Sequence, residues 1–204
     1  MPLLLKEYNS LCAGGFCQDL LTEDERQNAK DKGYQYLTGI LQQADTLNGN
    51  NRIYSKSILE REMKIFNKLV EDRRSLGTLD HEESEIVTCE NASHLITRTW
   101  WDNNAVMGVM EVLDTPKGLI LQEFLKRNIK MGISSRGLGS IREENGQTIV
   151  EDDYQLVTFD VVLDPSTPNA FLSPVQLSEA QARKMLTKAD RMNRMMNDIL
   201  RGDQ

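Results

Sequence analysis

The chain has 204 residues, 39% hydrophobic and 27% charged, with a formal net charge of −7. That length supports one domain with a real core, or a domain with an appendage. The acidic balance argues against a nucleic-acid partner, which calls for a basic face, and no apolar run is long enough to span a bilayer.

Leu3-Leu4-Leu5 runs at once into Lys6 and Glu7, too short for a signal-peptide core, so a cytosolic chain with free thiols is expected. Three cysteines are present, Cys12, Cys17 and Cys89. The four-residue separations of Cys12 from Cys17 and of Cys89 from His94 are a weak hint of a structural metal site, and without a knuckle sequence no metal is assigned.

In chain order, residues 1 to 30 are poorly patterned, and the charged run from Leu21 to Lys30 reads as a short helix or a solvated arm. Tyr34, Tyr36, Thr38, Ile40 and Leu41 suggest a strand with a bulge at Gly39. Asn48-Gly49-Asn50-Asn51 is a turn, since Asn and Gly tolerate positive φ. A helix should follow, capped by Ser57 and Glu60, with Leu59, Met63, Phe66 and Val70 on its apolar face. Ala92 to Trp101 and Ala105 to Leu113 read as a hairpin around Asp102-Asn103-Asn104, with both tryptophans in packing roles. Thr115-Pro116 should open a helix reaching Asn128.

The segment Asn128 to Ile141 holds Gly132-Ile133-Ser134-Ser135-Arg136-Gly137-Leu138-Gly139-Ser140, read as strand on either side of a tight segment. A hairpin turn at Glu143–Gly146 follows, then a buried strand from Tyr154 to Leu163. After Pro174 a long helix with a methionine stripe (Met185, Met192, Met196) closes the chain.

Three residues carry chemistry. A serine hydroxyl becomes a useful nucleophile when a neighbouring base takes its proton. An imidazole is the side chain suited to that role, so His81, in Leu76-Gly77-Thr78-Leu79-Asp80-His81, can be that base. Asp160 lies inside an apolar strand, where an acid is costly unless paired. His94, the second histidine, is expected to be structural. In a triad of His81, Ser134 and Asp160 the backbone N–H groups near Arg136 and Gly137 are candidate oxyanion donors. Ser135 is the rival nucleophile, and in an extended segment it points to the opposite face. No Gly-x-Ser-x-Gly elbow encloses Ser134, because position 136 is arginine, which speaks against a serine esterase.

These segments, with Asn48–Tyr54, Trp100-Trp101, Asp160-Val161-Val162 and Pro165-Ser166-Thr167-Pro168, make the chain resemble the prohead core protein proteases of T-even-type tailed phages, over roughly residues 34 to 180. The resemblance implies an α+β fold, a small, mostly antiparallel β-barrel surrounded by helices, as in the herpesvirus capsid-assembly proteases. It divides the chain into an N-terminal arm (1–32), a protease domain (33–174) and a C-terminal helix (175–204). It implies a serine endopeptidase with no cofactor, acting in the host cytoplasm inside the prohead on scaffold core proteins and the major capsid protein, as a homo-oligomer without membrane or nucleic-acid partners. The rival is a non-catalytic scaffold-binding protein on the same fold.

Residue by residue, the resemblance puts His81 at the family's base and Ser134 at its nucleophile. Herpesvirus enzymes place a second histidine after the serine; no histidine follows Ser134 here, and Asp160 takes the third place. The family cuts after glutamate in the pattern Leu or Ile, any residue, Glu, small residue. Leu177-Ser178-Glu179-Ala180 fits, so self-cleavage between Glu179 and Ala180 is expected.

Overall fold

The computed structural model describes residues 20–81 and 86–175. Lys32–Pro174 form one compact unit. The first helix, α1 (Glu23–Asp31), belongs to the other and occupies the run expected as helix or arm. Thr22 and Glu25 form its capping box: Thr22 N–H donates to the Glu25 carboxylate (2.7 Å) and Glu25 N–H to the Thr22 hydroxyl (3.2 Å).

In the main unit, β1 (Tyr36–Gln43) is followed by β2 (Arg52–Ile53), α2 (Lys56–Glu71), β3 (Leu76–Thr78), β4 (Ala92–Asp102) and β5 (Ala105–Val112). Then come α3 (Pro116–Lys126), β6 (Gly132–Leu138), β7 (Ile141–Glu144), β8 (Gln147–Val150), β9 (Gln155–Val162) and β10 (Ser173–Pro174). Among the described residues the strands form three sheets, ordered β10-β1-β5-β4-β3, β2-β8-β7 and β6-β9. The hairpin of β4 and β5 turns through Asn103, whose φ of 54° is the left-handed conformation that Asn tolerates. The bulge of β1 lies at Leu41, between Ile40 and Gln42, not at Gly39. Gly39 serves close approach instead, since a Cβ there would sit 2.9 Å from the Phe171 carbonyl oxygen.

Ser55, not Ser57, caps α2: its hydroxyl accepts from Ile58 N–H, because Ser55 keeps the extended φ/ψ of a cap while Ser57 is already helical. Ile58, Leu59, Met63 and Phe66 form the buried face of α2. Phe66 meets Phe159 of β9 edge-on, with ring centroids 5.2 Å apart. Thr115 caps α3 and Pro116 opens it, as expected. Trp101 packs against both apolar clusters of the unit, with the Lys56 ammonium 5.6 Å from its ring.

Two differences bear on the site. The serine stretch is not a tight segment between strands: Ser134 and Ser135 sit inside one continuous strand, β6, and the chain breaks only at Gly139-Ser140. The glycines fit large neighbours. A Cβ on Gly132 would come 2.5 Å from the Pro165 ring, and on Gly137 2.6 Å from the Tyr154 ring.

The second difference concerns the barrel. Among the described residues the fold is mixed α and β with few helices, and the ladders do not close. The β6–β9 pair meets the five-stranded sheet through one bridge at each edge, Leu79 with Val161 and Gly132 with Phe171. Asp80 turns left-handed (φ 65°) directly after the first bridge, and Pro168 with left-handed Asn169 (φ 59°) precedes the second, so neither ladder can extend. The expected C-terminal helix lies outside the described residues.

Candidate active site

β3 runs antiparallel to β4, and Leu79 then crosses to bridge Val161 of β9 in parallel. Asp80 N–H donates to the Val161 carbonyl (2.8 Å), and the left-handed turn at Asp80 redirects the chain so that His81 reaches back to β9. His81 Nδ1 lies 2.8 Å from Oδ2 of Asp160. An ionised carboxylate only accepts, so Nδ1 carries the proton and Nε2 is left as the basic nitrogen. The imidazole is 43% exposed while Asp160 is fully buried, so any substrate approaches from the histidine side.

Five donors converge on Asp160. Oδ1 accepts from Thr78 N–H (3.1 Å) and Arg136 Nη2 (3.1 Å), and lies 2.8 Å from the Thr78 hydroxyl, whose one proton is also within reach of the Asp80 carbonyl (2.7 Å). Oδ2 accepts from His81 Nδ1 and from Arg136 Nε (2.7 Å). Burial alone would push the Asp160 carboxyl up. The hydrogen bonds from His81, Arg136 and Thr78 outweigh it and hold the group below the usual carboxylate range. Asp160 is therefore an anion at neutral pH, buried because it is surrounded by donors.

Ser134 stands directly opposite Asp160 in the antiparallel register of β6 and β9. Opposed residues share a face, with Cβ atoms about 4.5–5.5 Å apart. Arg136, two residues on, shares that face and reaches the same carboxylate diagonally. Ser134 is almost buried, at 5% exposure. Ser135 faces the other way, near the buried Tyr154 phenol; Tyr154 Oη has no partner within hydrogen-bond geometry, so the two are neighbours, not bonded.

His94 is fully buried in β4. Its Nε2 donates to the Phe159 carbonyl (3.0 Å) and its Nδ1 accepts from the Ser93 hydroxyl (2.9 Å). Desolvation lowers it to about 4, against the opposing pull of the Asp160 charge and the Phe159 hydrogen bond. It is thus a neutral packing histidine, while Cys89 is an exposed, free thiol. No metal-ligating cluster occurs among the described residues. Arg136 and Gly137 lie where the β6–β9 register shifts, and the Arg136 side chain is committed to Asp160. The Glu179–Ala180 bond, Cys12 and Cys17 lie outside the described residues.

The model of the prohead core protein serine protease family matches residues 16–182. The chain belongs to that family. It is 36% identical, over 176 residues, to the prohead core protein protease of Enterobacteria phage T4, covering 81% of this chain and 82% of that protein. The solved bacteriophage T4 capsid assembly protease matches it with a TM-score of 0.61 at 32% identity, over 62% of this chain and 80% of that one. The chain is a peptidase of capsid maturation.

Two residues of this family member's acid site escaped the reading of its sequence. The sequence offers Arg136 as a backbone donor and as the residue that breaks the esterase elbow, yet in a strand position 136 shares the face of Ser134, which is what brings its side chain to the acid. Thr78 gave no signal at all, since its use depends on β3 passing beside β9.

Proposed function

We propose that the chain is a serine endopeptidase of the prohead, with Ser134 as nucleophile, His81 as general base and Asp160 as the acid that orients it. The observation that carries the reading is the contact of His81 Nδ1 with the buried Asp160, with Ser134 opposite that acid in the strand register. Ser134 Oγ attacks the scissile carbonyl while His81 Nε2 takes its proton and then gives it to the leaving amine. Asp160 keeps the tautomer and stabilises the imidazolium. Backbone N–H groups of Arg136 and Gly137 are our candidates for the oxyanion, because a register shift interrupts the ladder there. No step calls for a cofactor.

The substrates are scaffold core and capsid proteins, met inside the prohead in the host cytoplasm, and the enzyme works as a homo-oligomer. The single bridges at both edges of β6–β9 support a barrel-like wrap of the herpesvirus-protease kind. The protease domain is 33–174, and cleavage between Glu179 and Ala180 separates it from the C-terminal helix.

A serine-directed peptide phosphonate with glutamate at its reactive position, followed by intact-mass and peptide mapping, tests the reading. One adduct on Ser134 is expected, absent from Ser134→Ala and His81→Ala. A folded protein that takes no adduct and cleaves no scaffold peptide is a binding protein, and the proposal fails.

A further inference from the structure

Arg136 does more in this geometry than neutralise a buried acid. Its Nε and Nη2 meet the two oxygens of Asp160 at 2.7 and 3.1 Å, and its side chain is only 11% exposed. Such a fork fixes the plane of a carboxylate as well as its position. The plane matters because the terminal torsion of an aspartate is soft. Thr78 anchors Oδ1 alone, through its N–H and hydroxyl. About that anchor the carboxylate could still swing Oδ2 away from His81 Nδ1. Arg136 Nε holds Oδ2, the same oxygen that the imidazole uses.

We propose that Arg136 is a positioning residue for peptide cleavage, its guanidinium locking the plane of Asp160 so that Oδ2 stays on His81 Nδ1. The inference rests on the serine-protease reading above and adds a side chain to it. The geometry has a further economy: Ser134 and Arg136 are alternate residues of one strand, and Asp160 lies across from the first. One register therefore aligns the nucleophile with the triad acid and delivers the group that orients that acid. A lysine at 136 would keep the charge but touch one oxygen at a time, leaving the torsion free.

The test uses the full chain and a quenched fluorescent peptide containing Leu-Ser-Glu-Ala, the sequence of residues 177–180. Misplacing a catalytic group by a fraction of an ångström acts on turnover, so Arg136→Ala should lower kcat roughly tenfold to a hundredfold with KM changed less than about twofold. Arg136→Lys should recover only a small part of the loss. Millimolar methylguanidinium should restore Arg136→Ala several-fold, and methylammonium at the same ionic strength should not. Unchanged kcat in Arg136→Ala overturns the proposal, as does a loss confined to KM. A fall in kcat that is equal in both variants and indifferent to methylguanidinium marks Arg136 as structural only, and overturns it too. If Arg136→Ala does not fold, Arg136→Lys decides: wild-type kcat there refutes the lock, and a kcat loss at unchanged KM supports it. Ser134→Ala, run alongside, separates the two levels. Cleavage by that variant sinks the serine-protease reading itself, whereas an inert Ser134→Ala beside a fully active Arg136→Ala sinks only the lock.

Discussion

His94 should make the main unit acid-labile between its ordinary value of 6.5 and about pH 4. The imidazole is fully buried, with Nε2 on the Phe159 carbonyl and Nδ1 on the Ser93 hydroxyl, and the nearby charge of Asp160 does not offset its desolvation. Its value falls from 6.5 to about 4. Below pH 6.5 the unfolded chain takes up a proton that the native chain refuses until about pH 4, so stability is lost as pH falls through that interval. At about 1.4 kcal/mol per unit, the loss approaches about 3 kcal/mol in full and about 2 kcal/mol by pH 5. Asp160 does not confuse the window. Its lowered carboxyl contributes stability above the ordinary carboxylate range, lost only as pH falls below that range. The assay is urea unfolding at pH 7.5 and pH 5 of wild type and His94→Gln, whose amide can still donate to Phe159 and carries no charge at either pH. The wild type should lose about 2 kcal/mol more than the variant between the two conditions. Equal losses would refute the assignment of His94 as a buried neutral group.

Ser134→Ala should abolish cleavage of a scaffold peptide and Ser135→Ala should leave a measurable rate, since the two hydroxyls lie on opposite faces of β6; an active Ser134→Ala removes the nucleophile from the scheme. His81→Ala should cost nearly as much kcat as Ser134→Ala and Asp160→Asn somewhat less, because loss of the base removes proton transfer while loss of the acid disturbs the tautomer. Asp160→Asn should also lower the melting temperature, because it leaves the Arg136 charge poorly compensated; a wild-type melt would contradict the buried pair. Gly77→Ala should cost about 3 kcal/mol or more, since its Cβ would run into the Phe159 carbonyl and the His94 ring, and a near-native melting temperature would count against the close approach of β3 to β4 and β9.

What could be read from the residues was chemistry and local pattern. An acid in an apolar strand had to be paired, and Asp160 is. The hairpin of β4 and β5, the turn at Asn48–Asn51 and the caps of α3 follow from residue types that tolerate those conformations. What could not be read depends on distant partners. The parallel pairing of β2 with β8 joins Arg52 to Thr148, and neither segment carries a mark of the other. The glycines around Ser134 suggested a sharp turn, yet their reasons are Pro165 and Tyr154, bulky neighbours from the segments that flank β9. The capping-box pattern pointed to Ser57, and the cap falls instead on Ser55 because its backbone stays extended while Ser57 is already helical.

The choice of which serine faces the acid is made by the neighbours of the two serines rather than by the serines themselves. Slipping β6 by one residue against β9 would turn Ser135 toward Asp160 and send Ser134 and Arg136 to the Tyr154 side. The slip would also carry Ile133, fully buried now, out of the main apolar cluster and onto the face of the buried, charged Asp160. Burial of such a side chain contributes roughly 1.5–3 kcal/mol. The same slip would withdraw the guanidinium from a fully buried carboxylate, a change that costs about 3–5 kcal/mol when one partner of a buried pair is lost. It would also move Gly132 and Gly137 off Pro165 and Tyr154, bringing side chains into spaces where even a Cβ meets its neighbour at 2.5–2.6 Å. Each of these terms favours the observed register, and none involves the hydroxyl of Ser134. Between two adjacent serines of identical chemistry, the choice is made by Ile133, Arg136 and two glycines, which is why Ser134 and not Ser135 stands opposite the acid.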